Sequence, residues 1–486
     1  MSFVFLWTDA LIWLLVVAAA AYFIYVRDHE HLSAPWRRLL QSGAAMACMC
    51  ILALYLVIGL LDCLHFHPRL PRGGDQPAAR TEYSVEVRSP LDVLLTRLRE
   101  ARERTYSAPL AVYAFSKETI DLPGGKTTRD YPRLRYGGAQ LHDPAERAGD
   151  LLVRAARGGG VGALVWAVAA AFVTLWSGAG EGIGFAAQWR RVWRNETRVR
   201  WRAAYISSLA LALSGGIVWS WAGGYHVLGT DKVGRDVLLE SLKSIRTALV
   251  IGSLTTFLQL PFSLSLGIAA GYFKGLVDDV VQFVYTTLNS IPSVLLIAAA
   301  IFIVRVHIDT HPDAYPTSLQ RADVRLLWLC IILGITSWTG LARLLRGESL
   351  KLRELEYVQA AQAFGVSSFR IMSAHLARNV MHLAVISLVT DFSGLVLSEA
   401  VLSYIGVGVD PTTDSFGTMI DAARLELSRE PMVWWSLAAA FVFMLLLVLA
   451  ANLVADAVRD AFDPRTAMWR PRMPRAARRP AGRAIA

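Results

Sequence analysis

The sequence predicts an all-α polytopic membrane protein, and two observations carry that prediction. Of 486 residues, 54% are hydrophobic and only 18% charged, against about a quarter charged in ordinary soluble domains. A bilayer core requires about 20 mostly apolar residues per helix, and nine runs meet that length: 5–26, 43–64, 161–178, 203–222, 248–271, 280–304, 325–345, 380–406 and 433–455. This composition excludes a disordered chain and argues against a soluble enzyme. Cys48, Cys50, Cys63 and Cys330 all fall in or beside apolar runs and form no CxxC pair, so neither a disulfide framework nor a cysteine metal site is indicated.

The first run follows Met-Ser-Phe-Val, with no basic segment before it and no small-residue cleavage site. That argues against a cleaved signal peptide. Short arginine-rich loops stay in the cytoplasm. Loop 27–42 carries Arg27, Arg37 and Arg38, and loop 179–202 carries Arg190, Arg191, Arg194, Arg198, Arg200 and Arg202. Segment 346–379 adds Arg346, Lys351, Arg353, Arg370 and Arg378, and eight arginines follow residue 456. An N-terminus outside and a C-terminus inside puts all four on the cytoplasmic side. Loop 65–160 then lies outside despite 16 Lys/Arg against 12 Asp/Glu, which is acceptable because long loops translocate largely regardless of charge. The net charge of +10 is thus a topology signal rather than a nucleic-acid footprint, and no nucleic-acid partner is expected.

The chain divides into 1–200, with three spans and the polar insert 65–160, and 201–464, with six spans and short loops. Residues 465–486 are Pro/Arg-rich and read as a disordered cytoplasmic tail, able to touch anionic membrane lipid. Within the insert, a strand is expected at Tyr83–Val87, an amphipathic helix at Pro90–Arg104 (Leu91, Leu94, Leu95 and Leu98 apolar), and a turn at Pro123-Gly124-Gly125. Gly125-Lys126-Thr127 resembles the end of a phosphate loop, but Ile120 stands where the earlier glycine is required. No ATP site is expected in this chain. His29-Glu30-His31 and His65-Phe66-His67 lack a third convergent ligand, so no metal site is expected, and no nucleophile–base pattern marks a catalytic residue.

Charges within a span are costly and informative. Asp391 and Glu399 share one span, eight residues apart, about 80° around a helix. They either line a pathway or anchor the bundle interior. Asp9 lies near a span end and is expected to face water. Pro261 and Pro292 fall mid-span, where each can kink its helix.

Segment 347–379 is not a generic loop. It reads as a helix over Ser349–Phe364, a break at Gly365, and a second helix over Ser367–Ala377. Ala360, Ala361 and Ala363 permit close approach, Gly365 permits a sharp turn, and Leu355, Val358, Ala361 and Phe364 recur at helical spacing. Such a knob suits a groove on a partner.

These residues resemble the coupling loop of the permease subunits of ABC importers, in the dipeptide/oligopeptide/nickel class. That loop has the form E-Y-V-x-A-A-x-x-x-G, with H-I-L-P-N about ten residues later. Here stand Glu356, Tyr357, Val358, Gln359, Ala360 and Ala361, then Gly365, then His375, Leu376, Ala377, Arg378 and Asn379. Gln359 replaces the usual Glu, and Arg378 the usual Pro. Residues 226–247 resemble that class's segment between its first two core spans, through Gly229, Thr230, Asp231, Gly234, Arg235 and Asp236. Residues 398–419 resemble its fifth core span and following loop, through Glu399, Leu402, Ser403, Gly406, Gly408, Pro411, Ser415 and Gly417. Arg459 to Arg465 also fits. The resemblance covers about 201–465.

The resemblance implies a six-span permease core preceded by three extra spans, in a bacterial inner membrane. It implies a second permease, two cytoplasmic ATPase subunits that hold ATP and Mg, and an external solute-binding protein. Peptides are the first expected substrate, with nickel or another small solute as the alternative. A gradient-driven secondary transporter, supported only by Asp391 and Glu399, is the rival from another class.

Overall fold

The computed structural model describes residues 2–69, 83–122, 126–179 and 182–462. The expected turn at 123–125, Gly125 of the phosphate-loop reading, and the basic tail 465–486 lie outside the described residues.

Among the described residues, nine helical stretches are long and apolar enough to cross a membrane. The first three come from α1 (Trp7–Arg27), α3 (Gly43–Asp62) and α6 (Arg147–Ala179). A short amphipathic helix, α2 (Glu30–Leu39), lies between α1 and α3. The insert holds α4 (Pro90–Leu94) and α5 (Thr96–Glu100), and α7 (Phe185–Trp193) follows α6. The remaining six stretches are built from α8 (Trp201–Ala222), α9 (Val237–Phe273), α11 (Ser293–Thr310), α12 (Ser318–Ser337) with α13 (Thr339–Arg353), α16 (Ala377–Tyr404) and α18 (Trp435–Phe462), while α10 (Gly275–Ser290) is a shorter helix between α9 and α11. Short helices α14 (Glu356–Ala363), α15 (Ser368–Arg370) and α17 (Phe416–Glu426) complete the chain.

Two spans differ from their sequence reading, and the smaller difference is in run 325–345, which passes from α12 to α13 at Trp338 while keeping helical angles there. Run 280–304 is not a single helix. It is divided between α10 and α11 at Ile291-Pro292, where Ile291 is extended and Pro292 occupies the N-cap. Proline disfavours helical geometry in the residue before it, so Pro292 ends a helix here instead of kinking one. Pro261, by contrast, stays inside the unbroken α9. That helix has 37 residues, roughly 55 Å at 1.5 Å per residue, longer than a hydrocarbon core of about 30 Å.

The interior is built along α9. Ile251 and Leu254 pack with Ile301 of α11, Leu329 and Leu333 of α12 and Leu402 of α16. Ile245 packs with Phe416, Trp435 and Leu447, and Tyr55 of α3 joins this cluster. The early spans therefore rest directly on the later ones: the Tyr55 hydroxyl donates to the Phe443 carbonyl at 2.9 Å. Helices α6 and α8 cross at Gly158 and Gly162 against Gly216 and Ala212, where a side chain on either glycine would strike the facing backbone. Small residues are a common way to bring membrane helices together.

The insert departs from its expected pattern. In place of a strand at Tyr83–Val87 there are single bridges, Arg69 with Tyr83 and Phe66 with Arg88. The helix expected over Pro90–Arg104 is two short helices meeting at Leu95. There the Thr96 hydroxyl bonds back to the carbonyls of Asp92 and Val93 and competes with the helix. Leu91, Leu95 and Leu98 are buried as their spacing suggests, while Leu94 is exposed. Two antiparallel two-stranded sheets also form. One pairs β1 (Ser2–Phe3) with β2 (Phe66–His67), and the other is a hairpin of β3 (Glu118–Leu122) and β4 (Lys126–Asp130).

Candidate functional site

Three groups of predicted residues occupy one end, the middle and the opposite end of the bundle.

The first is a collar before α9. Asp231 folds the chain on itself, its Oδ1 accepting from the amides of Val233 at 2.9 Å and Arg235 at 2.7 Å. Gly234 has φ +74, a left-handed geometry open to glycine, and a Cβ there would collide with the Glu103 carbonyl. Asp236 caps α9, accepting from the Leu238 amide at 2.9 Å. Its other oxygen lies 2.7 Å from His226 Nδ1. Arg235 reaches Asp414 at 3.0 Å and Glu240 at 3.3 Å, joining the collar to the loop after α16. The Trp435 indole donates to the Thr230 carbonyl at 3.0 Å.

The insert closes over this collar. Thr230 Oγ1 accepts from the Ser107 amide at 2.7 Å and donates to the Thr105 carbonyl at 2.9 Å. The Glu103 amide donates to the Gly234 carbonyl at 3.1 Å. The Glu103 carboxylate accepts from the amides of Arg135 at 2.9 Å, Tyr136 at 2.7 Å and Gly137 at 3.2 Å. It also lies 3.5 Å from His226 Nε2. Burial pushes Glu103 up, but the adjacent His226 and the bonds from the three amides outweigh it and hold the carboxyl at about 2. Burial pushes His226 down, but its hydrogen bond to Asp236 and the nearby Glu103 carboxylate raise it to about 9. The imidazolium is thus a charged clamp between insert and collar. Thr230 and Asp236 are buried, so much of the collar sits beneath residues 103–107.

The two intramembrane acids do not meet. Asp391 accepts from Gln259 of α9 at 2.8 Å. Glu399 is fully buried and bonds Ser403 at 2.7 Å, while Ser403 Oγ accepts from the Val409 amide at 3.2 Å. Glu399 therefore holds the turn that leaves α16. Asp9 corrects its sequence reading. It is buried rather than wet, because Arg246 of α9 reaches it at 2.5 Å and His65 at 2.7 Å. His65 so pairs with Asp9.

The third group is the knob. The helix expected over Ser349–Phe364 is interrupted at Glu354-Leu355, where Leu355 turns extended. Arg353 donates to the Tyr272 carbonyl at 2.6 Å, and Lys274 pairs with Glu354 at 2.9 Å. The α14 helix then ends in a paired cap, Val366 N–H to Ala361 O at 3.1 Å and Gly365 N–H to Gln362 O at 3.0 Å. Gly365 is at φ +75, the left-handed position this cap favours. The second helix begins as α15 and continues as a π-helical stretch, Ile371–Leu376, straight into α16. Arg378 lies in that continuous helix and is exposed.

Motif residues fix α14 in place. The Asn379 amide donates to the Tyr357 hydroxyl at 3.0 Å and the His375 carbonyl at 2.7 Å. The Tyr357 and His375 rings lie 6.1 Å apart. Val358 is buried against Leu345, Ile371, Leu376 and Val380. The other face is open: Glu356, Gln359, Ala360 and Ala363 are exposed, with Phe364 87% and Phe369 77% accessible. Gln359 bonds the Glu354 carbonyl at 3.2 Å. Of the apolar positions at helical spacing, Val358 is buried and Ala361 packs against the same cluster, while Leu355 and Phe364 face outward.

Sequence reasoning missed Glu103, His226 and Arg246. His226 heads the collar segment and could have been noticed beside Asp236. Glu103 carries no local signal.

Residues 263–468 match the family described as "Binding-protein-dependent transport system inner membrane component". The oligopeptide transport system permease protein OppC of Mycobacterium tuberculosis is 31% identical over 242 residues, 50% of this chain and 77% of that protein. The di/tripeptide transport system permease protein DppC of Pseudomonas aeruginosa is 29% identical over 249 residues, 51% of this chain and 75% of that protein. The dipeptide transport system permease protein DppC of Lactococcus lactis subsp. cremoris is 29% identical over 240 residues, 49% of this chain and 64% of that protein. A relative at 31% identity, matched over 77% of its length, places this chain in the family of binding-protein-dependent ABC importer permeases, in the peptide class.

Proposed function

We propose that the chain forms half of the translocation pathway of an ATP-driven importer of di- and oligopeptides. A second permease supplies the other half. Two cytoplasmic ATPase subunits, which carry ATP and Mg, seat their grooves on the Glu356–Asn379 knob, and an external solute-binding protein delivers substrate. The N-terminus lies outside and the C-terminus inside.

The observation that supports this reading is the two-faced knob. Its inner face is anchored by buried Val358, the Asn379–Tyr357 bond ties α14 to the following helix, and Phe364 and Phe369 stand exposed. An apolar side chain so exposed on a charged loop suits a partner's pocket. Force applied there enters α13 and α16 through Leu345, Ile371, Leu376 and Val380. Closure of the ATPase pair thereby moves the bundle without a catalytic residue in this chain. The arginine distribution and the grouping of collar, insert and α17 at the end opposite the knob support the orientation.

The experiment is mild-detergent isolation of the tagged chain from its native membrane, with mass spectrometry of what accompanies it, and peptide uptake by the reconstituted assembly. Expected are ATPase subunits and a second permease, with uptake blocked by vanadate. A chain free of ATPase while a control importer stays intact, or uptake abolished by a protonophore but not by vanadate, overturns the proposal.

A further inference from the structure

We infer that the α7 arm, residues 185–202, is a binding surface for the headgroups of anionic phospholipids. The inner face of this arm is firmly seated. Val192 is 1% exposed, and buried Gln188 donates to Ser177 at 3.4 Å. Trp189 lies 5.9 Å from Tyr205 and 6.5 Å from Trp166, and Trp201 lies 6.2 Å from Tyr205. Tryptophan and tyrosine gather where apolar and wet regions of a membrane meet. This cluster seats the arm against α6 and α8, and Trp201 and Tyr205, at the start of α8, mark the level of the headgroups.

The outer face of the arm is cationic at that level. Arg190, Arg194, Arg198, Arg200 and Arg202 are all exposed and form no ion pair among the described residues. Glu196 is the one acid between 182 and 202. The Arg200 amide also bonds the Leu40 carbonyl at 3.1 Å, which brings the exposed Arg37 and Arg38 of α2 to the same end. Exposed Phe185 and Trp193 flank the arginines and can enter the acyl boundary. An amphipathic helix with basic residues on one face and aromatic anchors beside them is complementary to a layer of phosphate headgroups. Guanidinium groups suit phosphate because they donate two parallel hydrogen bonds. Topology alone needs the positive charge; it does not need a folded aromatic shelf to hold it.

The test uses the full-length chain in mixed micelles, so its result does not depend on transport or on the ATPase assignment. Melting temperature is measured with phosphatidylglycerol, phosphatidylcholine or inorganic phosphate added, and retained lipid is counted by native mass spectrometry. Phosphatidylglycerol is expected to raise the melting temperature more than phosphatidylcholine does, and added salt to erase the difference. The triple variant R190Q/R194Q/R198Q is expected to retain less anionic lipid, by roughly fivefold for each arginine lost. R190K/R194K/R198K is expected to keep the preference, and the wild-type lipid and salt comparison stands even if the glutamine variant fails to fold. Equal response to the two lipids, full retention by the folded glutamine variant, or an equal shift from inorganic phosphate alone overturns the proposal.

Discussion

Asp9 in α1 and Arg246 in α9 form a buried ion pair at 2.5 Å across 237 positions of sequence. The same end of α1 is held again by Asp323 of α12, whose carboxylate accepts from the Trp7 amide at 2.7 Å and from Thr8. A span that precedes the permease core is thus fastened to two of its helices. Nearby Lys243 pairs with Asp92 of the insert at 2.9 Å. The result is a charged seam, beside a cavity of about 260 Å³ lined by Asp62, His65, Lys243, Arg246, Asp323 and Asp414.

Removing one partner of a buried pair leaves the other charge uncompensated, at a cost of about 3–5 kcal/mol. Asp9→Asn and Arg246→Met are each expected to lower the melting temperature sharply in detergent. The double variant is expected to be less destabilised than the sum of the singles. Additive losses in that cycle show that the two side chains do not depend on one another.

The His226 clamp has a defined pH dependence. His226 titrates at about 9 in the folded chain, above its ordinary 6.5. Its stabilisation is fully present below about pH 6.5 and is lost as pH rises through 9. Glu103, held at about 2, acts in the opposite sense: its contribution is present above its ordinary 4.5 and is lost as pH falls toward 2. The two share one contact, so their contributions do not add. The stability gap between wild type and His226→Gln is expected to be widest near pH 5–6.5, to be on the order of 3 kcal/mol, and to close by pH 9. Paired melting curves across that range decide it, and a gap independent of pH removes the charged clamp.

What the sequence made legible follows from the range of the interactions. Spans are local, so α9 and α18 were visible in hydropathy alone. The break at Pro292 was only half visible, because a continuous apolar run conceals a helix end that the extended Ile291 reveals. The knob was readable in Tyr357, Gly365, His375 and Asn379, since its cap and hinge are built from neighbours. Its division at Leu355 was not readable, because it depends on Arg353 and Glu354 reaching Tyr272 and Lys274. The hairpin of β3 and β4 was overlooked despite threonines flanking Pro123-Gly124-Gly125, a recognisable strand and turn signal. Glu103 meets His226 across 123 positions and Asp9 meets Arg246 across a longer gap still. No local pattern announces either pairing.

Glu399 separates anchor from pathway. Its bond to Ser403, which in turn holds the Val409 amide, survives in Glu399→Gln but not in Glu399→Ala. The glutamine variant is expected to keep wild-type stability and uptake. The alanine variant leaves a buried hydroxyl short of a partner, at about 1–3 kcal/mol, and is expected to melt earlier. A glutamine variant that folds normally but no longer transports makes the carboxylate charge itself functional.

The knob gives the sharpest separation of folding from coupling. Gly365→Pro forces a backbone angle near −65° onto a residue at φ +75 and removes the amide bonded to Gln362. Ala361→Arg places a long charged chain against the Val358 cluster. Both are expected to abolish uptake with the protein still inserted, because the spans do not depend on the cap. Phe364→Ala and Phe369→Ala act differently. These side chains are exposed, so their removal is expected to leave the melting temperature unchanged while lowering ATPase recovery in pull-downs and peptide uptake by at least tenfold, equivalent to about 1.4 kcal/mol of lost contact. Measuring membrane abundance, ATPase recovery and uptake on all four variants distinguishes the cases. Wild-type uptake by Gly365→Pro at equal abundance sinks the coupling assignment, whereas full ATPase recovery by both phenylalanine variants moves the contact to another face of α14.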